Sequence, residues 1–221
     1  MILLFSGGLD SYIAWHYLNK PKTLYVDLGH RYAAHEIEMV QKLLPDTAID
    51  TRLNLAQFEE RDANIRLRNC FLVMVASYYD KDVVLVVQKG ELNIPDRSVK
   101  FFNFYSDFLT DMWEQRVTVS TPFFHMTKTE MVRWYLDEGL DPDVLLSTRS
   151  CYSPDDNPCG NCAACFRRWV ALINNDLSEE YTNDITKYSN IRDYIQKMNK
   201  GWYDKKRTKE TFDALRKVGL I

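Results

Sequence analysis

The run Asp82–Val87, DVVLVV, constrains the fold more than any other stretch. Its five successive aliphatic residues leave no polar face. A strand built from them must be covered on both sides, as in the middle of a parallel sheet. Ile2–Phe5, Lys22–Leu28, Ala48–Leu55 and Arg116–Pro122 read as further strands. Helical patterns separate them: Asp10–Leu18, His35–Leu44 ahead of Pro45, the all-round apolar Cys70–Tyr79, and Phe102–Trp113 with its aromatics expected on the core side. Thr127–Gly139 is a helix with a capping box from Thr127 to Glu130 and a terminal glycine. Strands that alternate with helices pair in parallel through right-handed crossovers. The expected fold is therefore α/β, a doubly wound and mostly parallel sheet whose ligands bind beyond the carboxyl ends of its strands.

After Gly139 the pattern changes to a loop, four clustered cysteines and a helix near Ala163–Asn174. A polar tail from Asp176 to Ile221 follows, carrying Tyr181, Tyr188, Tyr194, Trp202 and Tyr203. The expected division is an α/β domain over 1–150, a metal-binding motif over 151–175 and a helical extension over 176–221. At 221 residues, 46% hydrophobic and 27% charged, the chain can fill a sizeable core. A net charge of −3 supplies no general basic field for nucleic acid. Basic residues do mingle with aromatics around RRW and Lys197–Lys209, a pattern that suits a nucleic-acid backbone but equally suits a solvated helical tail. No apolar run approaches a membrane span and no leader precedes the first strand, so a cytoplasmic protein is expected.

Ser6-Gly7-Gly8-Leu9-Asp10-Ser11 follows the first strand and opens the first helix. Glycines let backbone amides approach a phosphate, and a helix N-terminus adds unpaired N–H donors and a favourable dipole. The hydroxyls of Ser6 and Ser11 add donors. Asp10 suits a Mg²⁺ that accompanies the anion, since Mg²⁺ takes one or two carboxylates together with phosphate oxygens. The spacing is neither a P-loop nor a dinucleotide fingerprint. A tight strand-to-helix turn capped by Asp10 is the bland alternative. Lys128, in the first turn of a helix after a strand end, is a candidate clamp for a leaving group; an ordinary surface lysine would read the same.

Cys151, Cys159, Cys162 and Cys165 have the spacing C-x7-C-x2-C-x2-C. Four thiolates close a tetrahedral Zn²⁺ site with no open position, so the zinc would hold the fold and not perform chemistry. Iron–sulfur ligation is the rival. Cys70 stands apart and is expected to be a small buried helix residue.

The segment FSGGLDS (Phe5–Ser11) resembles the pyrophosphate loop of the N-type ATP pyrophosphatases. Taken with the cysteine cluster, the chain resembles the 7-cyano-7-deazaguanine synthase (QueC) family. The likeness also rests on VDLGHRYAAHE (Val26–Glu36), Arg68-Asn69, Pro95-Asp96, Thr121-Pro122 with Lys128, and Cys151-Tyr152 through Arg168. It implies an adenine-nucleotide alpha-hydrolase-like, Rossmann-like sheet and an ATP-dependent ligase that forms carbon–nitrogen bonds. A 7-carboxy-7-deazaguanine and ammonia would become 7-cyano-7-deazaguanine through an acyl adenylate and an amide. The implied ATP site is Phe5, Ser6, Gly7, Gly8, Leu9, Asp10, Ser11 and Tyr12, with Asp10 and Lys128 catalytic, Mg²⁺ and Zn²⁺ as metals, and a homodimer as the assembly. Arg68, Asn69, Glu91, Asp96 and Arg97 are the candidates for holding the purine-like substrate, where an acidic group can accept from a guanine-like edge.

The chain departs from the family pattern in three places. FEERDANIRLRN lacks the usual Pro-Gly, QKGELNIPDRS is short and lacks the cysteine between Asp and Arg, and the tail past Asp176 runs beyond the usual end. Enzymes that stop at the amide, or join the acid to another amine, fit the same motifs. So does a tRNA-modifying relative with Cys70 as nucleophile, and a noncatalytic zinc module that binds nucleic acid is the reading from another class.

Overall fold

The five apolar runs form the strands β1 (Ile2–Leu4), β2 (Lys22–Val26), β3 (Ala48–Asp50), β4 (Asp82–Val84) and β5 (Thr118–Ser120). They make one sheet in the order β3-β2-β1-β4-β5, and every pairing is parallel. The computed structural model describes residues 1–92, 94–155 and 157–221, so two residues quoted above, Asn93 and Asp156, lie outside the described residues. The helices are α1 (Leu9–Tyr17), α2 (Ala33–Leu43), α3 (Arg68–Ala76), α4 (Val99–Trp113), α5 (Lys128–Asp137), α6 (Pro142–Ser147), α7 (Ala163–Ile173), α8 (Ile191–Asn199) and α9 (Lys205–Lys217).

The period of two along each strand divides the core in two. Ile2, Leu4, Leu24, Val26, Val83 and Leu85 pack with residues of α3 and α4. Leu3, Phe5, Tyr25 and Val84 point the other way, onto α1, α5, α6 and α7. This is the doubly wound arrangement expected from the unbroken aliphatic runs. The strands are shorter than those runs because the ladders end early: β3 stops at Asp50, and Leu53 and Leu55 enter the core from irregular chain. Cys70 is partly buried on α3 against the same core.

One expectation is corrected. The aromatics of α4 do not all face the core. Phe101 and Phe102 are buried, whereas Phe104 is 56% exposed and stacks in parallel on Phe108, which is 37% exposed. A single face of this long helix reaches the sheet, and these two rings lie off it. Among the described residues, no helix is long and apolar enough to cross a membrane.

A third core joins the cysteine segment to the tail: Cys151, Cys165, Phe166 and Trp169 pack with Ile185, Tyr188, Ile191, Ala214 and Leu215. Gly160 makes this possible, since its φ is +68° and a Cβ there would lie 2.2 Å from the carbonyl oxygen of Asn183. Arg168 is 2% exposed, donates to Glu179 (2.8 Å) and Thr148 (2.7 Å), and also reaches the carbonyls of Leu145 and Leu146. Its guanidinium thus satisfies the last turn of α6 from within α7.

Two stability predictions follow from these contacts. Glu179→Gln leaves the Arg168 charge buried without its counter-ion, and should cost about 3 kcal/mol, read as a lower urea midpoint at unchanged slope. At the end of β3, the Arg52 guanidinium hydrogen-bonds to Asp50 and Tyr79 adds its hydroxyl, which against the opposing effect of burial lowers the Asp50 pKa to about 2. A depressed carboxylate stabilises fully above its unfolded value, near 4, and that contribution is lost as pH falls towards 2. Asp50→Asn should therefore lower stability at neutral pH and flatten its decline between about pH 4 and 2, measured by denaturation across that range.

Candidate active site

The crevice starts where β1 ends. Gly7 takes the left-handed φ of +71°, and a Cβ there would lie 2.9 Å from the Met39 side chain, so the turn runs tight against α2. Gly8 is the N-cap of α1 in extended conformation, and no side chain caps the helix. The N–H groups of its first turn therefore have no side-chain acceptor. Asp10 does not cap the turn. Its Oδ2 accepts from Lys128 Nζ at 2.6 Å, while Oδ1 is buried with no hydrogen-bond partner among the described residues. Ser11 Oγ donates to the Gly8 carbonyl (3.0 Å) and accepts from the Ser6 N–H (3.3 Å), which fixes the loop from inside.

Lys128 reaches Asp10 because α5 begins there. Thr127 Oγ1 accepts from the Glu130 N–H, and the Glu130 carboxylate accepts from the Thr127 N–H at 2.9 Å, completing the expected capping box.

The opposite wall follows β4. Arg97 Nη1 lies 2.9 Å from Glu91 Oε1. Burial opposes ionisation of Glu91, but Arg97 and, further off, Arg167, Lys128 and Arg207 outweigh it and hold its carboxyl below the usual range. Arg68 donates to the Tyr32 hydroxyl at 3.3 Å. Burial works against its charge, and the oxygens of Tyr32, Tyr152 and Glu36 overcome that and raise its pKa.

Both walls enclose one cavity of about 230 Å³. Phe5, Ser6, Gly8, Leu9, Asp10 and Ser11 line it together with Lys128, Arg68, Asn69, Glu91 and Arg97. Three of the expected residues stand outside its wall. Gly7 packs on α2. Tyr12 is in the core beside Trp15, His16 and Tyr135. Asp96 offers its backbone carbonyl to Asn69 Nδ2 at 3.1 Å.

The cavity also takes in residues given no role from the sequence. Tyr25 and His30 each meet Glu36 Oε2 at 3.0 Å. The rings of Tyr32 and Tyr152 lie 5.5 Å apart, and Arg167 Nη2 donates to the Tyr152 hydroxyl at 3.1 Å. His30, Tyr32 and Glu36 lie in VDLGHRYAAHE, and Tyr152 follows the first cysteine, so the motif that carried the resemblance was the available signal. Arg149 and Ser150 also line the cavity, and the Arg149 N–H donates to the Gly7 carbonyl at 3.1 Å, laying this strap across the loop.

The Sγ atoms of Cys151, Cys159, Cys162 and Cys165 all lie within 4.8 Å of one another. Tetrahedral zinc, with Zn–S near 2.3 Å, sets its sulfurs about 3.8 Å apart, so a small contraction closes the site. Backbone N–H groups of Ser153 and Cys159 point at Cys151 Sγ at 3.3 Å, that of Asn161 at Cys159 Sγ, and that of Cys165 at Cys162 Sγ. Such donors favour thiolate. The cluster therefore fits a closed structural metal.

The profile of the family described as "Queuosine biosynthesis protein QueC" matches residues 54–176, more than half of the chain. The chain belongs to the QueC family. Among its relatives, the 7-cyano-7-deazaguanine synthase of Rickettsia canadensis (strain McKiel) is 35% identical over 107 residues, which is 45% of this chain and 46% of that protein. The alignment thus spans under half the length of that relative. The 7-cyano-7-deazaguanine synthase of Persephonella marina is 25% identical across 82% of this chain and 95% of its own length. That of Sulfurisphaera tokodaii is 26% identical across 86% and 98%. The QueC profile covers Arg68, Asn69, Glu91, Arg97 and the four cysteines but stops before the tail.

Elemental analysis of the purified chain should give one zinc per chain. Cys162→Ser should lose most of it. Removing the metal with a strong chelator should lower the melting temperature on the order of 10 °C and speed amide exchange in residues 149–152.

Proposed function

We propose that this protein is an ATP-dependent ligase that converts 7-carboxy-7-deazaguanine and ammonia to 7-cyano-7-deazaguanine through an acyl adenylate and an amide. The observation that carries this reading is the Asp10–Lys128 pair. It joins the phosphate loop to the α5 terminus on the same cavity that holds Arg68, Glu91 and Arg97. In this reading the triphosphate lies on the N–H groups of the Gly8–Ser11 turn and the deazapurine lies towards Arg68, Asn69 and the Glu91–Arg97 pair. Glu91, kept ionised by its cations, accepts from the guanine-like N–H edge.

The carboxylate oxygen of the acid attacks the α-phosphorus of ATP, the bond to the β-phosphate oxygen breaks, and pyrophosphate leaves. The protein contributes orientation and charge. Lys128 moves from Asp10 towards the leaving phosphates. The partnerless Oδ1 of Asp10 suits a bound Mg²⁺, which would neutralise phosphate charge. Ammonia then displaces AMP and loses a proton to give the amide; the amide oxygen attacks a second ATP, releasing pyrophosphate, and loss of the two N–H protons with cleavage of the C–O bond expels AMP and leaves the nitrile.

Zinc on the four cysteines holds the Arg149–Tyr152 strap in place. A homodimer, a cytoplasmic location, and a division at 150 and 175 into α/β domain, metal motif and helical extension belong to the same reading; the relatives' shared name supports the reaction class.

Incubation with ATP, Mg²⁺, ammonia and 7-carboxy-7-deazaguanine should release AMP and give the nitrile by mass spectrometry. Asp10→Ala and Lys128→Met should each lower the rate roughly 10²-fold or more. If neither amide nor nitrile forms while the zinc content is intact, the reading is wrong.

A further inference from the structure

A second, smaller cavity of about 40 Å³ lies behind the first. Glu91, Lys128 and Arg167 line both. The tail builds the far wall of the second, with Tyr194 and Met198 from α8 and Arg207 and Glu210 from α9. Arg207 is thus brought to the back of the site by a segment that lies beyond the QueC profile.

Arg207 Nη1 donates to the Gly90 carbonyl at 2.8 Å, and its guanidinium lies 4.7 Å from the centre of the Tyr203 ring. Arg167 donates to the Tyr152 hydroxyl. Both arginines are partly buried, and among the described residues neither forms a salt bridge within 4 Å. The carboxylates nearby are already engaged. Glu91 pairs with Arg97, and Glu210 accepts from Thr127 Oγ1 at 2.6 Å while burial raises its pKa. Burial and the neighbouring charge of Arg167 press the Arg207 pKa down, whereas at Arg167 burial is outweighed by the Tyr152 hydroxyl and Glu91, which raise it. Their hydrogen-bond acceptors are neutral, and the one carboxylate acting on both, Glu91, is already paired with Arg97, so cationic charge around this small cavity exceeds it and an anion would offset the remaining desolvation cost.

We propose that Arg167 and Arg207 form an anion subsite that takes the pyrophosphate end of the nucleotide. The inference rests on the reading that the first cavity holds ATP. Phosphate oxygens are favoured over the substrate carboxylate because Lys128, the link between the cavities, is also the residue bonded to Asp10 at the phosphate loop. Guanidinium forks suit phosphate oxygens bidentately, and pyrophosphate carries more charge than a carboxylate. The C-terminal tail is then part of the active site and not an appendage.

The test is calorimetric titration of the zinc-loaded full chain with Mg²⁺-pyrophosphate and, separately, with AMP. Neither needs turnover or the deazapurine, so a failed product assay leaves this result readable. Arg207→Ala and Arg167→Met should each weaken pyrophosphate binding at least tenfold and leave AMP affinity within twofold, and Arg207→Lys should recover part of the loss. Zinc content and circular dichroism identify any variant that fails to fold, and Arg207→Lys then decides. Pyrophosphate affinity unchanged in a folded Arg207→Ala or Arg167→Met overturns the proposal. So does an equal loss for pyrophosphate and AMP, or, where neither Arg207→Ala nor Arg167→Met folds, wild-type pyrophosphate affinity in Arg207→Lys.

Discussion

The chain reverses its direction of winding at β1, and the site depends on that reversal. From β1 it builds outward through β2 to β3, then crosses back to place β4 and β5 on the other side. The segments that leave β1 and β4 therefore diverge, and parallel pairing puts both at the same end of the sheet. The β1 exit is the glycine turn with Asp10, and the segment after β4 carries Glu91 and Arg97. Lys128 closes the gap because β5, paired with β4, delivers the capped start of α5 to the same edge.

The cysteine cluster extends this scaffold. Its first ligand, Cys151, sits between Arg149, whose N–H bonds the Gly7 carbonyl, and Tyr152, whose ring faces Tyr32 and whose hydroxyl accepts from Arg167. A metal at the cluster thus fixes the roof of the cavity through covalent neighbours. The same cluster shares its hydrophobic packing with Ile185, Ile191 and Leu215, so the tail, the metal motif and the cavity roof are mechanically one unit.

Much of this was legible in the sequence because the signals are local. The glycine turn, the Thr127–Glu130 box and the C-x2-C-x2-C spacing each lie within a few residues, and the aliphatic run 82–87 demands burial on both faces. Tyr12 shows where local reading ends. It lies two residues from Asp10 on one helix, about 200° round the axis, so when Asp10 faces the cavity Tyr12 must face the core. The contacts between Tyr32 and Tyr152, or between Gly90 and Arg207, join segments far apart in the chain, and no periodicity announces them. The shortness of β3 was equally hidden, since Leu53 and Leu55 keep an alternating pattern without a ladder.

A crystal structure of the zinc-loaded protein with Mg²⁺ and a non-hydrolysable ATP analogue is the most direct measurement. The account requires the triphosphate against the backbone N–H groups of Gly8 to Ser11, between Asp10 and Lys128. A nucleotide seated elsewhere, or a crevice left unfilled at saturating concentration, would contradict it.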